Sequence, residues 1–370
     1  MNLNEIRIQI DKIDREILEL FQKRMNLCRD VAIYKKENNL PIFQEEREVQ
    51  ILNKMESLAE IDMKAGAKAL FTVIMEISKQ LQRQIISVDE KVHEFFYPDF
   101  DSAENIGCQG CAGANSETAA KTFFPNHEPI YYPSFHQVFE AVENGEIKYG
   151  ILPIYNSTAG SVTQTYDLMG EYNFFITAMN HIEVANCLAV RPGTKIEDII
   201  RVYSHPQALS QCSDFIKKNH FKIKDYDNTA TAAKMVAKSN EPIAAICSER
   251  CAQLTGLEIL KTRISNVLPN YTRFICITKE IEVAAEADII SVMLTLPNVP
   301  GALSKLLMKF FIQNIDLVKI ENRPIRDGSF DVVFYIDFKG NIRDKSISLF
   351  ITELCKSCKQ FKILGNSISY

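Results

Sequence analysis

Residues 149–169 read YGILPIYNSTAGSVTQTYDLM, and this stretch decides how the middle of the chain folds. An apolar run at 150–152 predicts a short strand that ends at Pro153, because proline cannot donate a hydrogen bond to a sheet. Small polar side chains around Gly160 follow, and a helix then begins that includes Tyr166. A strand that leads through such a turn to a helix N-terminus presents N–H groups and hydroxyls to an anion. A well-capped loop without a ligand gives the same pattern.

Strands and helices alternate from residue 104 to residue 279, which predicts an α/β domain. The first turn, CQGCAGAN at 108–115, has glycines three residues apart, unlike the G-x-G-x-x-G of dinucleotide-binding proteins. Three more polar turns follow predicted strands, at 202–212, 227–234 and 270–277. Ligands bind outside the carboxyl ends of the strands in such sheets, so four polar turns together indicate a substrate cleft.

Residues 1–90 predict a domain of three helices. A stripe of apolar residues steps by three and four from Leu3 to Val31, which is typical of an amphipathic helix about 50 Å long. Arg24 interrupts the stripe, and Lys35 shares its face three turns later. A structural ion pair inside the bundle would also explain this arginine. Two shorter helices cannot cover so long a helix, so we expect an interlocked dimer.

The end of the chain, residues 288–370, predicts the strand and helix order βαββαβ of a ferredoxin-like unit. A strand over 289–296 leads to a helix over 301–314, and two strands, a second helix and a last strand follow.

Composition excludes several classes of function. The 370 residues carry a net charge of −5 without a basic block, which argues against nucleic acid as a partner. No apolar run is long enough to span a bilayer, and the charged N-terminus does not resemble a signal peptide, so we expect a cytoplasmic protein. Among the ten cysteines, Cys108/Cys111 and Cys355/Cys358 have C-x-x-C spacing, but a zinc site needs two such pairs brought together and there is no cluster of histidines. We therefore expect mostly reduced thiols and no metal or other cofactor.

The charged residues of the first helices resemble the all-helical chorismate mutases over residues 3–86. The resemblance implies a pocket of charged and polar side chains for chorismate, formed by Arg7 (from the other protomer), Arg24, Lys35, Gln44, Arg47, Glu48, Ser78 and Gln82. Such a pocket needs no nucleophile, because the reaction is a unimolecular rearrangement that is aided by holding one conformer and stabilising charge.

The same resemblance implies a role for each of these residues. The arginines Arg7 and Arg24 would hold the two carboxylates. Lys35 and Gln82 would donate hydrogen bonds to the ether oxygen, and Glu48 would accept one from the ring hydroxyl. Arg47 and Ser78 would support them. Gln44 stands where the family commonly has aspartate, so we expect modestly altered activity.

The middle of the chain resembles prephenate dehydratase, since CQGCAGANSETAA, LPIYNSTAGSV, YSHPQALSQC, NTATAAK and YTRF occur in that family's order. The fold implied is two α/β lobes, similar to periplasmic binding proteins, with the substrate between them. The resemblance implies that Thr272 donates a proton to the leaving hydroxyl, although His205 is an alternative acid by its pKa. Residues implied to bind substrate are Asn156, Ser157, Ser204, Gln211, Thr231, Arg273 and Phe274. Tyr155 departs from the glutamate usual in the family.

The last segment contains PNVPGAL and IENRP, and these motifs resemble the amino-acid-binding ACT domain of regulated prephenate dehydratases. The resemblance implies phenylalanine as an effector that binds between two such domains and shifts the open–closed equilibrium of the middle domain. The residues carried over to this site are Asn298, Gly301, Ala302, Leu303 and Glu321. Asn322 stands where the family commonly has serine.

The preferred interpretation is therefore a bifunctional enzyme that converts chorismate to prephenate and prephenate to phenylpyruvate, under control by phenylalanine. A non-catalytic sensor with a helical dimerisation arm is the alternative from another class. A third interpretation keeps the dehydratase and treats the helices only as an oligomerisation device. The sequence leaves open whether arogenate is a substrate and whether the assembly is a dimer or a tetramer.

Overall fold

A computed structural model describes residues 2–86, 95–101, 105–325 and 332–369. The chain begins with three helices, α1 (Leu3–Glu37), α2 (Glu45–Leu58) and α3 (Lys64–Ile86). Asn2 caps α1 by accepting a 3.0 Å hydrogen bond from the Glu5 backbone N–H, and the Glu5 side chain returns the bond. The 35 residues of α1 span about 52 Å, as predicted, and α3 packs against both other helices.

The apolar stripe of α1 is left open to solvent in the single chain. Leu3, Ile10, Ile13, Ile17, Leu20 and Leu27 are all at least half exposed. Only Met25, Ala32 and Lys35 of this helix are buried. Apolar side chains that recur every three to four residues on one face normally pack against another element, so the fold of a single chain leaves this face without its packing partner.

The middle of the chain folds into two α/β lobes. The first lobe contains β1 (Ile106–Gln109), α4 (Asn115–Phe123), β2 (Ile130–Tyr132), α5 (Phe135–Glu143), β3 (Tyr149–Asn156), β4 (Gly160–Ser161), α6 (Thr163–Glu171) and β5 (Phe175–Glu183). The second lobe contains β6 (Asn186–Val190), β7 (Arg201–Ser204), α7 (Pro206–Gln211), α8 (Ser213–Lys218), β8 (Lys222–Asp225), α9 (Thr229–Lys238), β9 (Ile243–Ser248), α10 (Glu249–Leu254) and β10 (Glu258–Lys261).

The chain passes between the lobes twice. It enters the second lobe after β5, and it returns through β11 (Tyr271–Thr278), which lies between β5 and β3 in the first sheet. The strands of the second lobe are ordered β10-β6-β9-β7-β8. The predicted pair of α/β lobes is therefore confirmed.

The end of β3 differs from the prediction. The strand does not stop at Pro153 but continues to Asn156. Pro153 lies opposite Phe274, where the register between β3 and β11 shifts. An irregularity of this kind leaves a ladder position unpaired, so the missing N–H of proline is tolerated there.

The last segment has the order β12 (Ile289–Thr295), α11 (Ala302–Ile312), β13 (Leu317–Pro324), β14 (Val332–Lys339), α12 (Lys345–Ser357) and β15 (Gln360–Ser369), which is the predicted βαββαβ order. The predicted turn at 326–329 lies outside the described residues. The rings of Phe310, Phe338 and Phe350 meet edge to face in the core between this sheet and its helices.

This segment is not a separate sheet. Strand β15 pairs in parallel with β5, so the strands of the last segment continue the sheet of the first lobe. Gly365 makes the junction possible, because a Cβ atom there would lie 2.1 Å from the carbonyl oxygen of Ile176. Within the described ranges, no helix is long and apolar enough to cross a membrane.

Candidate active sites

The centre of the polar cluster in the first lobe is Asn156, the buried last residue of β3. Its Oδ1 accepts hydrogen bonds from the backbone N–H groups of Thr158 and Ala159, at 3.0 and 2.8 Å. Its Nδ2 donates to Thr272 Oγ1 at 2.9 Å and to Asn270 Oδ1 at 2.8 Å. Antiparallel pairing of β3 with β11 places Asn156 opposite Thr272. The sheet therefore joins two of the predicted residues that are 116 positions apart.

Thr272 is held with its hydroxyl oxygen toward Asn156. Because this oxygen accepts the amide hydrogen, the hydroxyl's own hydrogen points elsewhere, and within the described part of the chain no acceptor takes it. Thr272 is 9% exposed. The Thr272 hydroxyl can therefore still donate one hydrogen bond.

The two lobes meet at this cluster. Gln211, at the end of α7, donates from Nε2 to Thr158 Oγ1 at 3.0 Å and accepts at Oε1 from Asn270 Nδ2 at 3.3 Å. Ser157 holds the strand pairing, since its Oγ accepts the Tyr271 N–H at 2.9 Å. Asn270 and Thr158 were not among the predicted site residues. Their positions inside the quoted polar turns were the available signal.

Two further predicted residues use their hydroxyls within the second lobe. Ser204, fully buried at the end of β7, donates to the carbonyl oxygen of Ile246 at 2.6 Å. Thr231 donates to the carbonyl oxygen of Asn228 at 3.1 Å, in the first turn of α9. His205 acts as the N-cap of α7, because its Nδ1 accepts the Gln207 N–H at 3.2 Å. Their roles toward a substrate stay predictions.

Arg273 and Phe274 are not brought into the cluster around Asn156. Side chains alternate along a strand, so Arg273 faces the opposite side of the sheet from Thr272. Its Nε lies 3.0 Å from His181 Nε2, and its Nη1 lies 3.2 Å from Asp337 Oδ2 in β14. Phe274 is buried in the apolar core beside α4. The observed contacts give Arg273 a role between segments and Phe274 a role in packing.

Tyr155 also faces the last segment. The Nζ of Lys319, in β13, lies 4.7 Å from the centre of the Tyr155 ring and 4.7 Å from that of Tyr166. Glu321 lies on the same face of β13, and its carboxylate is 2.8 Å from Lys319 Nζ. The position where the family usually has glutamate is thus occupied here by a ring that contacts a lysine.

A second contact between the lobes is formed by Glu117, which is buried in α4. Its carboxylate accepts hydrogen bonds from the Gly113 N–H at 2.8 Å, from Tyr131 Oη at 3.1 Å and from Arg250 Nε at 3.3 Å. Burial by itself would raise the pKa of Glu117, but these donors outweigh it and hold the pKa below its ordinary value. Neither Glu117 nor Arg250 was predicted, because no sequence spacing links α4 to α10.

The mutase residues form a separate group among the helices. Lys35 is buried and donates to the carbonyl oxygen of Ile42 at 2.7 Å. Burial lowers the pKa of Lys35, although Glu48 is near enough to offset part of this shift. Gln82 Nε2 donates to Ser78 Oγ at 3.2 Å, and its Oε1 is buried without a hydrogen-bond partner among the described residues.

The arginines of the predicted pocket lie nearer the surface. Arg24 is half-buried, with Nη1 3.8 Å from Cys28 Sγ, whereas Arg7, Gln44 and Arg47 are exposed in the single chain. One chain therefore assembles Lys35 and Glu48 beside each other and pairs Ser78 with Gln82, and it leaves the other predicted contacts open.

The fold combines a bundle of long helices with a two-lobed α/β unit that has a polar cluster between its lobes, which defines a protein with a helical domain and a two-lobed α/β domain. The family model of chorismate mutase type II matches residues 6–83, and that of prephenate dehydratase matches residues 106–282. The chain is 30% identical over 371 residues to a bifunctional chorismate mutase/prephenate dehydratase of Enterobacter agglomerans, covering 97% of this chain and 94% of that protein.

Two other comparisons cover the second part of the chain. An arogenate dehydratase/prephenate dehydratase of Arabidopsis thaliana is 35% identical over 277 residues, which are 72% of this chain and 73% of that protein. The structure of prephenate dehydratase from Arthrobacter aurescens in complex with L-Phe matches with a TM-score of 0.65 and 26% identity, over 71% of this chain and 89% of that one.

The chain therefore belongs to the family of bifunctional chorismate mutase/prephenate dehydratases. The predicted family and its two enzymatic activities, an isomerase and a lyase, are confirmed. The non-catalytic sensor is not favoured.

Proposed function

We propose that this enzyme rearranges chorismate to prephenate in the helical domain and converts prephenate to phenylpyruvate between the two lobes. The proposal divides the chain into a mutase domain (1–90), a dehydratase domain (104–279) and a regulatory domain (288–370). It rests above all on one observation, the Thr272 hydroxyl that Asn156 holds with its hydrogen free.

In the dehydratase step, the C–C bond to the ring carboxylate breaks and releases CO2. Its electron pair enters the ring and expels the ring hydroxyl, which leaves as water after it receives a proton. Aromatisation drives the step, so the protein has to bind carboxylates and donate a hydrogen bond to the leaving oxygen. Thr272 supplies that bond in our proposal, and Asn156, Ser157, Gln211, Ser204 and Thr231 form or support the pocket.

In the mutase step, the ether C–O bond breaks while a C–C bond forms, and negative charge develops on the ether oxygen. We assign Lys35 and Gln82 to this oxygen and Glu48 to the ring hydroxyl. A flip of the Gln82 amide would let Ser78 donate to Oε1 and leave Nε2 free for the ether oxygen, which would also satisfy the unpaired Oε1. Arg24 and the Arg7 of a second copy would bind the two carboxylates.

A second copy is part of this proposal, because the open apolar stripe of α1 needs a packing partner and the mutase pocket needs another arginine. The homodimer is therefore proposed for both reasons. We also place the protein in the cytoplasm, since all ten cysteines are free thiols, as in a reducing compartment.

Regulation by phenylalanine is proposed for the last domain, which we assign as an ACT domain. It is supported by the βαββαβ order and by the complex of the Arthrobacter relative with L-Phe. Gly301 has a φ of +80° and is the N-cap of α11, next to Ala302 and Leu303. Glu321 instead contacts Lys319 and the first lobe, so within this proposal it would transmit the signal.

The test is to add chorismate to the purified protein and to follow its absorbance without acid treatment. Appearance of phenylpyruvate would support both steps, and phenylalanine should slow the second one. Accumulation of prephenate would contradict the proposed dehydratase. If chorismate and separately supplied prephenate are both unchanged, the proposed function as a whole is wrong.

A further inference from the structure

Lys79 is a buried lysine of α3, and it has no role in the mutase mechanism proposed above. It is 7% exposed and directly follows Ser78. Its Nζ lies 3.0 Å from Glu48 Oε1 and 3.1 Å from Glu48 Oε2, so it contacts both oxygens of that carboxylate. Its Nζ also lies 5.3 Å from the centre of the Phe43 ring. A lysine in this place joins α3 to α2 at the residue proposed to hold the ring hydroxyl.

The ion pair continues into the last segment of the chain. Lys79 Nζ is 2.7 Å from Glu76 Oε1, and Glu76 Oε2 is 3.3 Å from Lys309 Nζ in α11. Lys309 and Arg83 both contact Glu353 of α12. Three carboxylates thus face three cations, and burial of this set is compensated by pairing. Burial would raise the pKa of Glu76, but Lys309 and Lys79 outweigh it and lower the pKa.

The same region forms a cavity of about 810 Å³ between the helices and the last segment. Glu48 and Lys79 line one wall, and Pro297 and Ala302 line the other. Lys309 is on the helix that begins at Ala302, two turns further along. The ion pairs therefore connect Lys309 of α11 to Glu48 through charged side chains in direct contact.

We propose that Lys79 is a positioning residue of the mutase site, which fixes the Glu48 carboxylate, and that the Glu76–Lys309 pair makes this position depend on the C-terminal segment. This inference rests on the proposed role of Glu48. A glutamate side chain loses considerable rotamer freedom when it must accept one defined hydrogen bond, and a lysine that contacts both oxygens removes that freedom in advance. The carboxylate keeps lone pairs for the ring hydroxyl.

The first test is a double-mutant cycle in the full-length protein with Glu48→Gln and Lys79→Met. We expect Lys79→Met to lower the mutase kcat/KM about tenfold or more, as for other residues that orient a functional group. If Lys79 acts through Glu48, the double variant will be no slower than Glu48→Gln alone. The inference would be overturned if the loss of kcat/KM in the double variant equalled the product of the losses in the two single variants. Wild-type mutase activity in Lys79→Met would also overturn it.

Two controls separate failure of this inference from failure of the proposed mutase site and from misfolding. If Glu48→Gln has wild-type mutase activity, the proposed mutase site is wrong and the inference falls with it. The dehydratase rate of each preparation reports whether the protein is folded. If Lys79→Met is insoluble, Glu76→Gln combined with Lys79→Met removes one negative and one positive charge together and takes its place in the cycle.

The link to the C-terminal segment is tested with Lys309→Met. We expect the mutase kcat/KM to fall about threefold or more, since Glu76 would then pull Lys79 away from Glu48. Lys305→Met is the matched control, because Lys305 lines the same cavity one turn earlier on α11 and has no ion pair with a described residue. Equal mutase rates in both variants would overturn the dependence on the C-terminal segment.

Discussion

At the scale of single residues, the chemistry open to each polar residue of the dehydratase cluster depends on the hydrogen bonds that it already makes within the protein. Asn156 uses its carbonyl oxygen to fix the turn after β3 and its amide to hold Asn270 and Thr272. The hydroxyls of Ser204 and Thr231 donate their hydrogens to backbone carbonyl oxygens. Thr272 differs from both, because its hydroxyl hydrogen has no acceptor among the described residues. This difference makes it the strongest candidate for the hydrogen bond to the leaving group.

Replacement of Thr272 by valine keeps the shape of the side chain and removes only the hydroxyl. We expect the dehydratase kcat to fall about 100-fold, the lower range for loss of a positioned proton donor, with mutase activity unchanged. Product formation from prephenate measures the effect. Thr278→Val, a buried threonine at the other end of β11, is the control. An equal loss in the two variants would mean that Thr272 has only a packing role.

The lowered pKa of Lys35 leads to a prediction about pH. Lysine donates to the ether oxygen most strongly when protonated, and burial moves the loss of its proton to lower pH than for an exposed lysine. We therefore expect mutase kcat to decline on the alkaline side below pH 10.4. Lys35→Arg, whose side chain stays charged, should shift that decline upward. A mutase profile that is flat to pH 10.4 would contradict this assignment.

At the scale of elements, the Gly-rich turn between β1 and α4 joins the two lobes. Gly113 has a φ of +90°, and a Cβ atom there would lie 3.1 Å from the Cys251 Cα of α10. Its N–H donates to Glu117, and its carbonyl oxygen accepts from Ser248 Oγ at 3.2 Å. Gly113 makes close approach between the lobes possible.

Gly113→Ala should destabilise the protein by about 2–4 kcal/mol, because it adds a steric contact to the cost of the left-handed conformation. Gly145→Ala is the matched control, since Gly145 has a φ of +74° but open space around the added Cβ. Gly145→Ala should lower the free energy of unfolding by only about 1 kcal/mol. Urea unfolding measures both. Equal losses would show that the contact with Cys251 is easily relieved.

At the scale of the whole molecule, the segments are connected by more than their linkers. The last four strands extend the first lobe's sheet through β15 and β5, and Arg273 pairs with Asp337 next to Thr272. The helices join the last segment through Glu76 and Lys309. The α1 stripe is a large apolar face that remains open in the single chain, and its period continues along almost the whole helix.

Ile13→Lys places a charge in the middle of this stripe, where burial without a partner is costly. We expect the protein to sediment as a monomer. Most mutase activity should be lost, because no second copy then supplies Arg7 to the pocket, while the dehydratase stays active. Ile8→Lys is the control, because Ile8 is 68% exposed on α1 and lies off the stripe. Dimers in both variants would argue against α1 as the interface.

Neighbouring residues were enough to predict the helices and strands and the kind of domain that they form. The stripe from Leu3 to Val31 predicted α1, alternation of strands and helices predicted the lobes, and the motifs indicated the family. These features are local, because periodicity and turn type depend on residues that are close together in the sequence. Pro153 was the local error, since only the pairing with β11 shows that the missing N–H falls at a register shift.

The tertiary structure alone decided which distant residues meet. Asn270 joins Asn156, Glu117 joins Arg250, and Lys79 joins Glu48, and none of these pairs has a sequence signature. It also paired Arg273 with Asp337 and brought β15 beside β5. The physical reason is that hydrogen bonds and ion pairs act over a few ångströms, while strand register and the packing of lobes determine which side chains come within that range.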